Sequence, residues 1–532
     1  MSGLDAAIEA VFAPIASVLS AIVFFELPIF GGIPVVVIWL AASAVFFTVW
    51  LRFQPITGAK HSLAVIRGRF AAKTDPGEVS SFQALATELS GTVGLGNIAG
   101  VAIGITVGGP GAALWIALFG IFAMSVKMAE AVLGNKYRTV LEDGSTVGGP
   151  MYMLREGFAE IGWKKLGIAM GAVYAVLALI GMLGGGNMFQ ANQVTMIISD
   201  AFGEESFLAQ NNWVVGVVLA AMVAVVVLGG VTSIARWTSR ITPYMAIAYI
   251  LCVLVIVAVN LPQIPAALGA IIVGAFNPQG VAGGAVGVAV VGIQRALFSN
   301  AAGVGTAAMS FSATKTRHTA SDGYTAMWGP LIDSVVVCML TAVAIVVTGV
   351  HTVEDAEDGV VLTASAFGTV ADWFPVLLTI IVFLFGFSTL LSYSFFCEML
   401  ATYLFGPTRA VRMTLRVVYV LLVVVGASIS MTSMVAFADA TTFLVTIPNL
   451  IGLYVLAKVV RLEVLRYRYR VETGVIEEIE DEDLRVGMGD HEPTEEQVRS
   501  ERERTRTEEM RLEELHRRLE ADPEWPHSYN KD

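Results

Sequence analysis

The sequence predicts an all-α polytopic membrane protein of about eleven transmembrane helices, built as a five-plus-five inverted repeat with two broken helices. Three observations carry this. Of 532 residues, 55% are hydrophobic and 15% charged, whereas a soluble domain is nearer 25% charged. Apolar runs recur at the roughly 20-residue length that crosses a bilayer. Two of these runs are interrupted by glycine: Ser90 to Ala99 (Ser-Gly-Thr-Val-Gly-Leu-Gly-Asn-Ile-Ala) and Ser299 to Ala308 (Ser-Asn-Ala-Ala-Gly-Val-Gly-Thr-Ala-Ala). Glycine weakens a spanning helix, and non-helical backbone survives at membrane depth only where it is buried in protein or lines a wet cavity. Unwinding frees amides for an anion and carbonyls for a cation, and paired breaks in two halves of a chain point to a transporter's central site.

The elements follow in order. Residues 4–30 hold Asp5, Glu9 and Glu26 but no Lys or Arg, so a signal peptide is not expected. Residues 1–32 read as an interfacial segment on the outer surface. Spans are expected near 33–51, 80–106 (broken), 111–135, 166–198, 213–234, 241–260, 282–313 (broken), 325–350, 373–403, 411–431 and 435–459. Charge supports the count. The connectors at 52–79, 136–165, 236–240, 315–323 and 405–410, and the chain from 458 onward, all carry Lys or Arg. Those at 201–212, 261–281, 351–371 and 432–434 carry none. The positive-inside rule then places the N-terminus outside and the C-terminus in the cytoplasm. Without the first span, ten remain, as repeats of about 80–260 and 282–460 that each begin with a broken helix. An odd number of spans per repeat makes the two sets inverted. The transporter domain is 33–460, with a charged cytoplasmic tail over 461–532.

The net charge of −12 belongs to that tail, which from Val471 onward holds 9 Lys and Arg against 21 Asp and Glu. The body is neutral, so nothing offers nucleic acid a basic footprint. Arg461, Arg466, Arg468 and Arg470 form a juxtamembrane belt suited to anionic lipid. Residues 494–520 alternate Glu and Arg, which reads as a solvated, partly helical tail or as a regulatory or oligomerisation helix. Cys252, Cys338 and Cys397 lie in apolar spans without Cys-x-x-Cys spacing and read as small hydrophobes. No nucleophile–base pair or metal-ligand cluster stands out to suggest an enzyme.

The residues also carry a resemblance. Gly108-Gly109-Pro110-Gly111-Ala112, continuing through Trp115, Leu118-Phe119-Gly120, Lys127, Ala129-Glu130 and Lys136-Tyr137-Arg138, is similar to a signature of the alanine or glycine:cation symporter family. That family lies within the amino acid–polyamine–organocation superfamily. Gly148-Gly149-Pro150-Met151-Tyr152, Gln190-Ala191-Asn192, Arg295 to Asn300, Ile332-Asp333 and Pro448-Asn449-Leu450 extend the match over most of residues 50–460. Val93 to Asn97 also resembles the unwound first core helix of the neurotransmitter:sodium symporters. Two positions depart from the family pattern. Ala301 stands where members usually have Glu, and Leu95 where many have Thr.

The resemblance implies a plasma-membrane symporter for small neutral amino acids, coupled to Na+ and working by alternating access. Gly94, Leu95, Gly96 and Asn97 would hold the substrate carboxylate at a half-helix N-terminus. Carbonyls from Phe298, Ser299, Asn300 and Gly303 would receive the ammonium. Gln190 would face the substrate, or else make an interhelical hydrogen bond. Ser388 and Thr389 would hold sodium opposite carbonyls of Ser90 and Val93, or else bond back to their own helix. Thr92 and Asn97 could serve a second sodium ion. Glu88, Glu130, Arg295, Asp333 and Glu398 are intramembrane ionisable groups, functional candidates whose alternative is structural pairing. Coupling to protons through Asp333 or Glu130, broader substrate specificity, and a membrane amino acid sensor are the competing readings.

Overall fold

The structure is a computed structural model that describes residues 3–27, 33–140, 146–203, 205–276, 284–353, 359–479, 485–486 and 495–521. The acidic stretch 354–358, expected in an outer connector, lies outside the described residues.

The chain opens with α1 (Gly3–Val23), α2 (Val35–Trp50) and two short helices, α3 (Gln54–Thr57) and α4 (Ala59–Ile66). The first repeat begins with the broken pair α5 (Ser81–Thr92) and α6 (Ala99–Gly108), followed by α7 (Ala112–Lys136) and the connector helix α8 (Pro150–Glu160). Next come α9 (Lys164–Leu183), a π-helical turn over Gly184–Met188, α10 (Phe189–Phe202) and the short α11 (Phe207–Gln210). The helices α12 (Asn212–Val227) and α13 (Val231–Val259) complete the set, and α14 (Ile264–Phe276) connects it to the second. The second repeat begins with the broken pair α15 (Gly284–Asn300) and α16 (Thr306–Ser312). It continues with α17 (Ser321–Ala326), the single turn α18 (Trp328–Pro330), a π-helical turn over Leu331–Val337 and α19 (Cys338–Thr348). After α20 (Val360–Gly368) come α21 (Phe374–Phe405), α22 (Arg409–Ser428) and α23 (Met431–Val455). The tail supplies α24 (Ala457–Glu472) and α25 (Glu495–Ala521).

Each of the eleven expected spans has its helix or broken pair. Among the described residues, eight helical segments are long and apolar enough to cross a membrane by length and composition. One of them is α1, expected to lie on the outer surface. It packs along α23, where Glu9 accepts hydrogen bonds from Ser430 N (2.9 Å) and the hydroxyls of Ser430 and Ser433. The repeat is visible in the packing. Second helix meets second (α7 with α17 and its π turn), third meets third (α10 with α21) and fourth meets fourth (α12 with α22), as a two-fold relation between the sets requires. The residues of α7 are 72% buried over its apolar window, against 22% for α22. A helix apolar all round belongs in the core, and α7 is the post around which both broken helices pack.

Helices α8, α14 and α20 occupy stretches read as connectors. The tail also differs from a freely solvated one. Ile479 N donates to Arg69 O (2.7 Å) and Val486 N to Ala71 O (3.1 Å), so the tail pairs with the backbone of the connector before α5. Further on, α25 places Thr505 on Arg317 and Glu508 at 3.8 Å from His318.

Candidate functional site

A capping box starts α5, with Gln83 N on Ser80 Oγ (3.1 Å) and Ser80 N on Gln83 Oε1 (2.8 Å). The helix stops at Thr92 because the next residues turn on themselves: Asn97 N bonds Gly94 O (3.1 Å) and Asn97 Oδ1 returns to Gly94 N (3.3 Å). Leu95 N is held from another helix by Gln190 Oε1 (3.3 Å). In the second break, Ala301 adopts a left-handed φ of 50°. There Ala302 N turns to Asn300 Oδ1 (2.9 Å), and Gly303 N reaches the Glu130 carboxylate (2.9 Å). Both breaks thus satisfy their loosened backbone with buried side chains, as a membrane interior demands.

Between the breaks lies a small cavity of about 20 Å³, lined by Gly91, Gly96, Gly181, Gly185 and Gly186 among others. Room for roughly one water remains. The glycines are there because large groups press on them. A Cβ on Gly186 would sit 1.8 Å from the Tyr393 ring, and one on Gly96 would sit 2.9 Å from Phe298 O. Gln190, Ala301 and Thr442 also reach the lining. Phe298 closes one side, edge-on to Phe189 at 4.6 Å, and Arg295 lies over its ring at 5.8 Å while pairing with Asp439.

Beside the cavity, four hydroxyl side chains converge. Thr389 Oγ1 donates to Ser90 O (3.1 Å), Ser90 Oγ lies 3.0 Å from Ser388 Oγ, and Ser392 Oγ donates to Ser90 Oγ (2.9 Å). All are buried. Neutral carbonyl and hydroxyl oxygens in a dry setting suit a singly charged cation. On the other flank of the break, Thr92 Oγ1 donates to Glu88 O (3.1 Å), while Asn97 reaches Asp333 in the second π turn, with Nδ2 3.2 Å from Asp333 O and 3.4 Å from Asp333 Oδ1. Asp333 Oδ2 and Glu130 Oε2 are buried without a hydrogen-bond partner.

A model of the sodium:alanine symporter family matches residues 17–481. The chain belongs to that family. Its relatives include the sodium/alanine symporter AgcS of Methanococcus maripaludis, 37% identical over 80% of this chain and 92% of that one. An uncharacterized transporter of Haemophilus influenzae is 34% identical over 86% of this chain and 97% of its own. The fold is that of MhsT, solved in complex with L-phenylalanine, with a TM-score of 0.50 at 14% identity over 73% of this chain and 99% of that one.

The structure of this family member distributes the expected site residues unevenly. Gly96, Gln190 and Phe298 line the cavity, and Gly94 and Leu95 sit behind Gln190. Asn97 lies on the Asp333 side. Ser299 and Asn300 turn instead to Cys338 (3.2 Å) and Ser334 (2.9 Å), and Gly303 to Glu130 and Asn449. Ser90, Ser388 and Thr389 come together, with Val93 at the end of α5 next to them. Of the intramembrane charges, Glu88 pairs with Lys127, Arg295 with Asp439 and Glu398 with Arg416. Neither Lys127 nor Asp439 stands out in sequence as a buried partner. An acid and a base of opposite sign in separate spans are the signal, but only packing says which pairs meet.

Proposed function

We propose that the chain carries small neutral amino acids, alanine or glycine, across the plasma membrane together with sodium, with its N-terminus outside and C-terminus in the cytoplasm. The observation that supports this most is the glycine-lined cavity between the two breaks, placed directly against the uncharged oxygen cluster of Ser90, Ser388, Thr389 and Ser392. The amides of Gly94 and Leu95 are engaged at 3.3 Å by side-chain oxygens. Such bonds are long for N–H···O, so a substrate carboxylate would replace them at little expense. The carbonyl side of the second break and Gln190 would meet the ammonium. With Tyr393 and Phe298 against the glycines, a side chain beyond a methyl or two has no place without repacking.

A cavity this small admits a substrate only if its walls part, which supports alternating access. Opening toward the basic connectors would join it to a cleft of about 380 Å³ lined by Thr87, Ser310 and Tyr152 among others. Sodium at the hydroxyl cluster would pull the first break toward α21 and so couple ion binding to closure.

Uptake of labelled alanine and glycine by purified protein in liposomes tests the reading. A sodium gradient alone should drive accumulation. Accumulation driven only by protons would favour a second reading, supported by the unpartnered oxygens of Glu130 and Asp333. No accumulation under either gradient would overturn both.

A further inference from the structure

Arg138 follows α7 on the connector to α8, away from the cavity and from every ion candidate. Its guanidinium donates to four backbone carbonyls: Ser312 O (3.1 Å), Thr314 O, Thr316 O (2.7 Å) and Pro76 O (3.0 Å). Three belong to the segment leaving α16 and one to the segment entering α5. These two segments are also joined directly. Glu78 N and Val79 N donate to Ala313 O (2.8 and 3.1 Å), Lys315 N to Val79 O (2.7 Å) and Thr316 N to Pro76 O (3.2 Å). Gly77 permits the approach, since at φ 135° its absent side chain would lie 2.2 Å from Thr314 O. Asp322 ties in from α17, accepting from Ser81 Oγ (2.6 Å) and Asn135 Nδ2 (3.2 Å).

The placement matters because α5 and α16 pack on each other and form the wall between the cavity and the basic end. To open that side, they must part. We propose that Arg138 is the positioning residue of the inner gate: a clasp that holds the free ends of both broken helices together and lets go once per cycle. This rests on the alternating-access reading above. Arginine suits the task, since its planar fork presents five donors at fixed spacing whereas a lysine ammonium offers three from one point. The partners are carbonyls rather than a carboxylate, so water can replace them when the ends separate. A buried ion pair at the same place would be far harder to open.

The test uses the full chain in proteoliposomes, with Cys252, Cys338 and Cys397 replaced by alanine and a reporter Val445→Cys in the wall of the cavity behind the gate. A membrane-impermeant maleimide is applied from each side in turn, without substrate. Arg138→Ala should raise the labelling rate from the cytoplasmic side about tenfold, the scale of losing hydrogen bonds to a charged group. Gradient-driven accumulation should fall while substrate exchange persists, and Arg138→Lys should recover part of each. Equal labelling in wild type and both variants would overturn the proposal. So would loss of labelling contrast in Arg138→Lys with accumulation intact. If Arg138→Ala does not fold, Arg138→Gln, which keeps two donors, replaces it with the same expectations. Labelling needs neither amino acid nor sodium, so a wrong substrate or ion would leave this result standing.

Discussion

The carboxylate of Glu88 and the ammonium of Lys127 meet inside the bundle, each side chain 1% exposed. Thr306 Oγ1 bridges them, donating to Glu88 Oε1 at 2.8 Å and accepting from Lys127 Nζ at 2.8 Å, and Ser310 Oγ donates to Glu88 Oε2 at 2.8 Å. One ion pair therefore joins both halves of the molecule, with Glu88 on α5, Lys127 on α7 and the hydroxyls on α16. Removing the cation leaves a buried carboxylate uncompensated, at about 3–5 kcal/mol. Lys127→Met should lower the thermal unfolding temperature of the purified protein sharply, and adding Glu88→Gln should return part of the loss. A Lys127→Met protein as stable as wild type would count against this account.

Ser388→Ala combined with Thr389→Ala removes two oxygens from the cluster around Ser90. Each such bond is worth about 0.5–1.5 kcal/mol. The sodium concentration for half-maximal uptake should rise by roughly tenfold, while the amino acid KM at saturating sodium shifts less. An equal shift in both would place the hydroxyls in substrate binding instead.

Gly186→Ala should abolish uptake with the protein still in the membrane, because the new methyl would fall 1.8 Å from Tyr393 Cδ1. Tyr393→Leu on the same background should give some transport back by vacating the ring. Unimpaired Gly186→Ala would show that the ring can retreat and that the cavity does not set substrate size.

Acid should loosen the layer at the basic end. Burial holds His61 down to about 4 and His318 to about 3. His61 faces Tyr467 Oη at 3.0 Å and the rings of Phe70 and Tyr324, with Glu478 and Arg468 nearby. His318 faces Glu508, Arg317, Arg504 and Arg470. The unfolded chain takes up these protons near pH 6.5, so the native state is whole above that and weakens as pH falls toward 4. The slope is up to about 1.4 kcal/mol per pH unit for each histidine. Protection factors against hydrogen exchange, taken relative to the intrinsic rate at each pH, should fall in 59–66 and 314–320 between about pH 7 and pH 5, and His61→Gln with His318→Gln should flatten the response.

The broken helices were legible because glycine inside an apolar run has few innocent explanations, and the order of the spans because charge marks alternate connectors. Ser388 and Thr389 were legible as an adjacent hydroxyl pair, but Ser392, one turn further on, joins them only through packing. Consecutive residues could not all face one cavity. On α15, at 100° per residue, Phe298 faces the cavity while Ser299 and Asn300 turn to the neighbouring Cys338 and Ser334, and Ala301 reaches the cavity only because the helix has ended before it. The partners of Glu88, Arg295 and Glu130 lie between 39 and 319 residues away along the chain, and spacing in sequence holds no trace of them.

The turn at Gly184–Met188 is wider than an α-turn by one residue. One surplus residue rotates everything beyond it by about 100° relative to an unbroken helix. Gln190 lies just past that point, with Oε1 on Leu95 N and Nε2 on Gly185 O at 3.1 Å. Two residues later, Asn192 reaches Ile429 O at 2.7 Å. The aim of both side chains is therefore set by how many residues the helix contains, as much as by which ones. In the history of such a chain, a single-codon deletion here would disarm Gln190 without altering it.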